Sequence, residues 1–349
     1  MRIMLVGFGV VGSNLAKIFI DQREKLRRGR GINPKVVSIV NSRGALVDPE
    51  GINLETALKA RESAGGLGSL KEIWNEGAKP PEVLDMIECD VMVEAAPTDL
   101  MSGQPGLDHI RAAMKNEVHV VTTNKGPLAI AMPALLELAE HNDVMLKFSG
   151  TVGGGTPMLD FAKKCLEGVE ILSVRGILNG TTNYILSKMD AEAVPLDSAL
   201  AEARELGYAE ADPTYDIDGL DAAGKLVIIA NWVMGRSLSI HDIKIEGIRK
   251  VDQDRMKEAK EQGKTIKLIA KCDSEAEVAP MAIERMHPLN VSHTFNAVTF
   301  DTDLAGEITL VGRGAGGPET ASAVLRDLIA IRRFYSRRGT LMGRMMRRA

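Results

Sequence analysis

The amino-acid sequence predicts an α/β protein in which a doubly wound parallel sheet is followed by a second, α+β domain. Two observations support this fold class. In the first half of the 349 residues, short runs rich in β-branched residues alternate with helix-like segments, as in parallel strands joined by crossover helices. After Gly150 this alternation stops, and a chain of this length has room for about two domains at roughly 150 residues each.

Five strand-like runs define the predicted sheet of residues 1–150. In chain order these runs are RIMLVG, KVVSIV, DVMVEAA, VHVVTTN and VMLKFSG. Helices are predicted at about 12–27, 107–115 and 132–141, and residues 53–82, rich in glycine and mixed charge, indicate a peripheral helix and loop. Because short strands at this spacing are joined by helices, the helices should cover both faces of the sheet.

Residues 151–305 show a different order of elements and make up the predicted second domain, for substrate binding and dimerisation. We expect helices at about 158–166, up to 203 and at 220–234, a turn at NGTTN, and strands at ILSVRGIL, 278–285 and 297–300. A C-terminal helical segment, about 306–333 with its helix from about 319, should pack back on the first domain. Residues 334–349 form a basic tail.

Composition and charge argue against several classes of protein. The apolar runs are shorter than the roughly 20 residues of a membrane helix, and the N-terminus reaches glycine too early for a signal peptide, so we expect a cytoplasmic protein without a membrane partner. Cys89, Cys165 and Cys272 lack CxxC spacing, which indicates reduced thiols. The net charge is −4; the basic tail could touch nucleic acid, but a solvated end with no nucleic-acid partner is our expectation.

A glycine motif, Gly7-x-Gly9-x-x-Gly12, follows the first predicted strand and opens the first predicted helix. The first glycine permits a tight turn, the second lets the backbone approach a pyrophosphate, and the third lets the helix close on the strand. The helix N-terminus adds free amides and a positive dipole. The motif predicts a Rossmann-type dinucleotide site that includes Val10 and Val11. The alternative is a structural turn that binds no nucleotide.

The residues after the second predicted strand bear on the choice of cofactor. NAD sites usually place an acid there to hold the ribose hydroxyls, but this chain has Asn41, Ser42 and Arg43. A guanidinium can pair with a 2′-phosphate through two hydrogen bonds. Arg43 therefore favours NADP, and NAD stays an alternative if this arginine contacts no ligand.

Five sequence motifs occur along residues 1–330. They are VGFGVVGS, TTNKGPLA, GTVGGGTP, NGTTNYIL and GYAEADPTYDIDGLDAAGKLVIIAN. With them the chain resembles the homoserine dehydrogenase family, which implies a homodimer that reduces L-aspartate 4-semialdehyde to L-homoserine with NAD(P)H, a step toward threonine and methionine. Two alternatives stay open: another NAD(P)-dependent amino-acid or semialdehyde dehydrogenase, and a dinucleotide-sensing regulator without catalysis.

The last of these motifs contains a pair of opposite charges, Asp221 and Lys225, at the start of a predicted helix. The spacing i and i+4 places both on one helix face, and the helix dipole favours the anion at its first turn. Hydride addition to an aldehyde builds an alkoxide, which needs a cation or a proton donor within hydrogen-bond reach. The alternative is an ordinary solvated ion pair with the same spacing.

The resemblance also implies roles for individual residues. Lys225 resembles the lysine that donates to the carbonyl oxygen, and Asp221 resembles its partner at the reacting end. Glu210 resembles the carboxylate that binds the substrate ammonium, and Tyr208 lies beside it in the sequence. Lys125, after a predicted strand, resembles a second lysine near cofactor and substrate; a simple loop charge is the alternative.

Further residues complete the predicted pocket. Asn179, Gly180 and Thr181, in NGTTN, are expected to shape the substrate pocket, although a plain hairpin turn would have the same sequence. Thr98 follows another predicted strand and is assigned to the nicotinamide side, with a helix cap as the alternative. Gly314, in the run VGRGAGGP before the last helix, is assigned to the cofactor.

A possible metal site is implied by the loop from Val152 to Gly154. It resembles the family's loop for a monovalent cation such as sodium, which backbone carbonyls bind; a glycine-rich hinge is the alternative. The six histidines lack the spacing of zinc ligands, so no zinc site is predicted.

Overall fold

The computed structural model describes the backbone of residues 1–346 and the side chains up to residue 334. Within this range the first sheet has seven strands in the order β4-β3-β2-β1-β5-β6-β7. These strands are β1 (Arg2–Val6), β2 (Lys35–Asn41), β3 (Gly44–Val47), β4 (Trp74–Glu76), β5 (Val91–Glu94), β6 (His119–Thr122) and β7 (Leu146–Lys147). The helices in this part are α1 (Val10–Asp21), α2 (Arg23–Arg30), α3 (Leu54–Glu62), α4 (Pro80–Met86), α5 (Gly106–Lys115) and α6 (Lys125–His141).

The centre of this sheet is parallel, which confirms the predicted doubly wound arrangement. β1 pairs in parallel with β2 on one side and with β5 on the other, and β6 and β7 continue the parallel order. The strand order therefore changes direction at β1, where such sheets bind ligands beyond the carboxyl ends of the strands. β3 and β4 extend the sheet as antiparallel strands that the sequence did not predict.

The second sheet has six strands in the order β13-β12-β8-β10-β11-β9 and is mostly antiparallel. These strands are β8 (Ile171–Ile177), β9 (Lys244–Ile245), β10 (Lys264–Cys272), β11 (Ala276–Glu284), β12 (Phe295–Thr302) and β13 (Gly306–Arg313). The helices of this part are α7 (Met158–Cys165), α8 (Gly180–Glu192), α9 (Leu196–Glu205), α10 (Thr214–Ile217), α11 (Leu220–Met234) and α12 (Gln253–Glu261), followed by α13 (Gly317–Met346).

Two strands of the second sheet correct the sequence prediction. β13 occupies residues 306–313, which were assigned to the C-terminal helical segment, so that boundary is wrong and the second sheet extends to Arg313. β10 was missed because three lysines interrupt its apolar residues, which hides the pattern of a buried strand. One of them, Lys267, is nevertheless only 2% exposed.

Three helix boundaries also differ from the prediction. The helix predicted at 12–27 is two helices that break at Gln22, and α6 begins at Lys125 instead of 132, capped by the Asn124 side chain. NGTTN is not a turn, because the Asn179 side chain accepts a hydrogen bond from Thr182 N and caps α8. The second and third differences place the start of a helix at a residue assigned to the site, Lys125 and Gly180.

The last helix returns to the first sheet. Ala321, Val324 and Leu328 of α13 are fully buried in one apolar cluster with Ile3 of β1 and Leu15 of α1. The prediction of a solvated basic tail concerns side chains and residues outside the described range. Among the described residues, no helix is both long and apolar enough to cross a membrane.

Candidate active site

A cavity of about 630 Å³ lies where the two sheets' connecting loops meet. Its wall includes residues from the first half, such as Val11 and Lys125, and residues from the second half, such as Asp221 and Lys225. Some of the residues predicted from distant parts of the sequence, among them Lys125, Asp221 and Lys225, are therefore brought to one cavity.

The glycine motif forms the turn between β1 and α1. Gly7 has a left-handed φ of 90°, and a Cβ atom there would overlap the carbonyl oxygen of Ala95. A Cβ on Gly12 would overlap the carbonyl oxygen of Gly7, so this glycine lets the helix close on the strand. Around Gly9 there is open space, with nothing within 4 Å of an added Cβ. Gly9 thus leaves room for a ligand against the start of α1.

A second glycine-rich segment lies beside the start of α1. A Cβ on Gly317 would lie 2.7 Å from Val10 Cγ1, so the segment that enters α13 packs closely on the first turn of α1. Gly314, from the same segment, lines the cavity together with Val11. Val10 remains 63% exposed. Both segments that were assigned to the cofactor therefore lie side by side.

Arg43 lies in the turn after β2 and is exposed. Its backbone N–H donates to Asn41 Oδ1 at 2.8 Å, and its guanidinium lies directly over Gly66, whose missing side chain leaves the space that it occupies. Thr98 is partly buried in the loop after β5 and, within the described residues, lies outside the cavity lining.

Asp221 is the centre of the charged part of the cavity. Its Oδ2 lies 2.7 Å from Lys225 Nζ and accepts a hydrogen bond from Asn179 Nδ2 at 2.9 Å, while its Oδ1 lies 3.3 Å from Lys125 Nζ. Burial alone would raise the pKa of Asp221, but the two lysine charges hold that pKa well below its usual range. Asp221 is therefore an ionised carboxylate shared by two ammonium groups.

Lys225 is buried, which argues against the alternative of a solvated surface pair. It is 7% exposed, and its Nζ donates to the backbone oxygen of Leu178 at 2.6 Å in addition to its contact with Asp221. The first turn of α11 and the residue after β8 thus hold the ammonium from two sides.

Asp216 is a site residue that the sequence interpretation missed. It lines the cavity and accepts a hydrogen bond from Asn179 Nδ2 at 2.6 Å, so one amide group links Asp216 and Asp221. Burial and the neighbouring charge of Asp221 raise the pKa of Asp216. Asp216 belongs to the acid-rich motif already noted, but only the fold shows which of its carboxylates point into the cavity.

The residues assigned to the substrate fall into two groups. Gly180, Thr181 and Tyr208 line the cavity, and Thr181 Oγ1 donates to the backbone oxygen of Tyr208 at 2.7 Å. Glu210 is exposed and is not among the lining residues of the described chain. Its assignment to the substrate ammonium stays a prediction from the family resemblance.

The loop assigned to a monovalent cation packs against the cofactor segment. Gly153 and Gly154 have left-handed φ values of 77° and 53°, and a Cβ on Gly154 would lie 3.0 Å from the carbonyl carbon of Gly314. The Gly153 oxygen accepts from Thr156 N, whereas no hydrogen bond described in the structure uses the oxygens of Val152 and Gly154. Among the described residues no cluster of three or more histidine, cysteine or acidic side chains could hold a metal.

Two matches to family models cover most of the chain. Residues 7–149 match the model described as the NAD-binding domain of homoserine dehydrogenase, so the fold and site define an NAD(P)-dependent oxidoreductase. Residues 157–329 match the model described as homoserine dehydrogenase. The chain belongs to the homoserine dehydrogenase family, which removes the non-catalytic regulator as an alternative.

Individual relatives agree over nearly the full length. A homoserine dehydrogenase of Methanocaldococcus jannaschii is 45% identical over 95% of this chain and 98% of its own. An NAD(+)-dependent homoserine dehydrogenase of Pseudomonas canavaninivorans is 33% identical over 97% of both chains. A solved structure of a hyperthermophilic archaeal homoserine dehydrogenase in complex with NADPH has a TM-score of 0.81 at 30% identity, covering 94% of this chain and 96% of that one.

Proposed function

We propose that Lys225 donates to the carbonyl oxygen of L-aspartate 4-semialdehyde while that aldehyde is reduced to L-homoserine. A nicotinamide bound beside the site would supply the hydride for the aldehyde carbon, with the carbonyl electron pair moving onto oxygen. An ammonium has three N–H donors, and two of those on Lys225 are directed to Asp221 and Leu178 O. The third is left for the substrate oxygen, which takes the proton.

The observation that carries this proposal is the buried ion pair at the cavity wall. Asp221 stays ionised beside Lys225 and Lys125, so it holds two positive charges next to the place where negative charge develops. Such preorganised charges stabilise a developing alkoxide more strongly than water does. Lys125, the first residue of α6, would orient the substrate or the cofactor from the other domain.

The experiment is steady-state kinetics on Lys225→Ala with saturating NADPH. We expect kcat to fall by about 10²–10⁴-fold while NADPH affinity stays nearly unchanged, because the glycine loop lies in the other half of the chain. Lys164→Ala is the matched control, since Lys164 forms an i,i+4 pair with Asp160 at 2.8 Å but is 60% exposed. A kcat of Lys225→Ala within about threefold of the control would refute the assignment.

Two carboxylates are candidates for binding the substrate ammonium. Glu210 is our prediction from the family resemblance, whereas Asp216 has the geometric support of facing the cavity. Glu210→Gln and Asp216→Asn separate the two, because loss of a charge-assisted contact should raise KM for the semialdehyde about tenfold. Only the variant of the contacting residue should show that rise.

We propose NADP(H) as the preferred cofactor, with NAD(H) as the weaker one. The support is Arg43, an exposed guanidinium at the end of β2 where an acid would favour NAD. The relatives do not decide this, since one is named for NAD(+) and another is in complex with NADPH.

We propose that the backbone oxygens of Val152 and Gly154 bind a monovalent cation such as sodium. The support is that these oxygens are not used by the hydrogen bonds of the described chain, while two consecutive left-handed glycines turn the loop. Backbone oxygens are hard ligands that suit such cations. Activity titrated with sodium chloride against a choline salt at equal ionic strength tests this, and identical rates would exclude a catalytic need for the cation.

We propose that the enzyme works as a cytoplasmic homodimer. β13 is an edge strand of the second sheet, and it exposes Val311 at 50%, while Leu172 of β8 is 48% exposed. An exposed edge with apolar side chains is a surface that a second copy can cover. Light scattering should give twice 37.7 kDa, and a monomer at micromolar concentration would contradict the proposal.

A further inference from the structure

Lys267, in the middle of β10, is a buried lysine that the reaction described above does not use. It is 2% exposed, and its Nζ donates to three acceptors: Asn183 Oδ1 at 2.9 Å, Ser187 Oγ at 2.7 Å and the backbone oxygen of Val291 at 2.8 Å. All three partners are neutral. A buried ammonium is tolerated only when its donors are satisfied, so Lys267 fixes the positions of these acceptors.

Asn183 passes this constraint to the segment of residues 291–295. Because an ammonium only donates, it orients the amide oxygen of Asn183 toward Lys267 and the amide nitrogen away from it. That nitrogen lies 3.1 Å from the backbone oxygens of Val291 and His293 and 3.0 Å from that of Phe295. The segment therefore curves around a single side-chain amide, and His293 within it has a left-handed φ of 55°.

The same segment forms part of the cavity wall. Thr294 lines the cavity beside Gly180 and Thr181, the first residues of α8. A Cβ on Gly180 would lie only 2.8 Å from the backbone oxygen of Thr294, so the segment packs closely on the start of that helix. Residues 291–295 thus touch the substrate side of the cavity on one face and Asn183 on the other.

We propose that Lys267 is a positioning residue for the substrate wall: acting through Asn183, its ammonium holds residues 291–295 so that Thr294 closes on the start of α8. This inference rests on the proposed reaction. It assigns to Lys267 an effect on the affinity for the semialdehyde, and none on cofactor binding or on hydride transfer itself.

The charge of Lys267 should make this wall sensitive to pH. The charged groups facing it are Asp190 of α8 and Arg285 after β11, which pair with each other at 2.7 Å. Burial lowers the pKa of Lys267 to about 8; the charge of Asp190 raises this pKa and the charge of Arg285 lowers it. Deprotonation above this pH removes one of three N–H donors, so the semialdehyde should bind more weakly there.

The test compares Lys267→Met with Lys271→Met. Both remove a lysine from β10, but Lys271 pairs with Asp273 at 2.7 Å, whereas Lys267 is the lysine that donates to Asn183. We expect Lys267→Met to raise KM for the semialdehyde about tenfold at neutral pH, with kcat and KM for NADPH within about twofold of the control. Between about pH 7 and 9.5 this KM should rise in the wild type and in Lys271→Met, and rise less in Lys267→Met, where the titration of the substrate ammonium is left but that of Lys267 is not.

Other outcomes would overturn the inference. An unchanged KM for the semialdehyde, or equal rises for semialdehyde and NADPH, would show that Lys267 only supports the fold. If Lys267→Met does not fold, as judged by circular dichroism, Ser187→Ala removes one of the three acceptors and should still raise KM for the semialdehyde about threefold; no rise would overturn it. A wild-type enzyme that fails to reduce the semialdehyde would instead refute the proposed function.

Discussion

The cofactor loop and the charged side of the same cavity are built in opposite ways. At the cofactor loop, Gly7 and Gly12 act by lacking a side chain, and neighbouring backbone fills the space that a Cβ would need. At the charged side of the cavity, Asp221 and Lys225 act through buried side chains. They pair with each other, and Lys225 also donates to the backbone oxygen of Leu178. A substitution at Gly7 or Gly12 therefore creates steric overlap, whereas a substitution of Asp221 or Lys225 leaves a charge unpaired.

Because of this difference, cofactor binding and chemistry should separate in mutants. The loop is formed by local backbone geometry within about a dozen residues of the chain. The charged side of the cavity depends on side chains brought together by β8, α6 and α11. Only the complete fold fixes the positions of these three elements. Substitutions on either side therefore test whether the two ends of the cavity are independent.

The largest expected effect is a loss of kcat at the charged side of the cavity. Asp221→Ala removes the anion between Lys125 and Lys225, which then repel each other, so kcat should fall by about 10²–10⁴-fold. Combined with Lys225→Ala, the loss should be smaller than the sum of the two single losses, because the residues act as one unit. Steady-state kinetics on the three variants measures this. Strictly additive losses would mean that Asp221 and Lys225 act separately.

A smaller effect is expected at the cofactor end. Arg43→Asp should weaken NADPH binding by about 1.5–3 kcal/mol, the range for a charge-assisted hydrogen bond, and spare or improve NADH. Titration of cofactor fluorescence measures both affinities, with Arg61→Asp on α3 as an exposed control. Equal losses for NADPH and NADH would show that Arg43 supports the fold over Gly66 and does not read the phosphate.

The smallest effect is expected at Asp327 of α13, and it concerns stability. Asp327 is 2% exposed and accepts hydrogen bonds from Ser149 N and Oγ, next to the cavity-lining Gly150. Burial raises the pKa of Asp327 to about 6. A raised carboxyl pKa favours the protonated folded state, so the stability that this group contributes is present below about pH 4 and is lost as the pH rises to about 6.

The variant Asp327→Asn removes this titration and can still accept from Ser149 N and donate to its hydroxyl. Between about pH 4 and 7 the free energy of unfolding should fall by about 1–3 kcal/mol more in the wild type than in Asp327→Asn. Asp254→Asn, an exposed aspartate on α12, should follow the wild type. Parallel pH profiles for all three proteins would show that Asp327 ionises normally.

The sequence predicted the first domain better than the second because its signals are local. A strand, a glycine motif and a helix follow one another within residues 2–21, so spacing alone defines the turn. β10 was missed because Lys267 looks solvent-exposed in the sequence, and its partner Asn183 lies 84 residues earlier. Pairing across such distances leaves no periodic pattern in the sequence.

The charged centre was predicted only in part, for the same reason. Asp221 and Lys225 are one helical turn apart, so their pairing follows from spacing. Asn179 was assigned to the pocket, but its bridge between Asp216 and Asp221 depends on the position of α8 beside α11. Nothing local distinguishes Asp216, which faces the cavity, from the exposed Glu210 in the same motif.

The return of α13 to α1 has a consequence for synthesis on the ribosome. The apolar face around Ile3 and Leu15 is covered by Ala321, Val324 and Leu328, which are translated about 300 residues later. The domain that is begun first is therefore completed last, after the whole second sheet has been made. Until then the nascent chain exposes the apolar surface around Ile3 and Leu15, which a chaperone can cover.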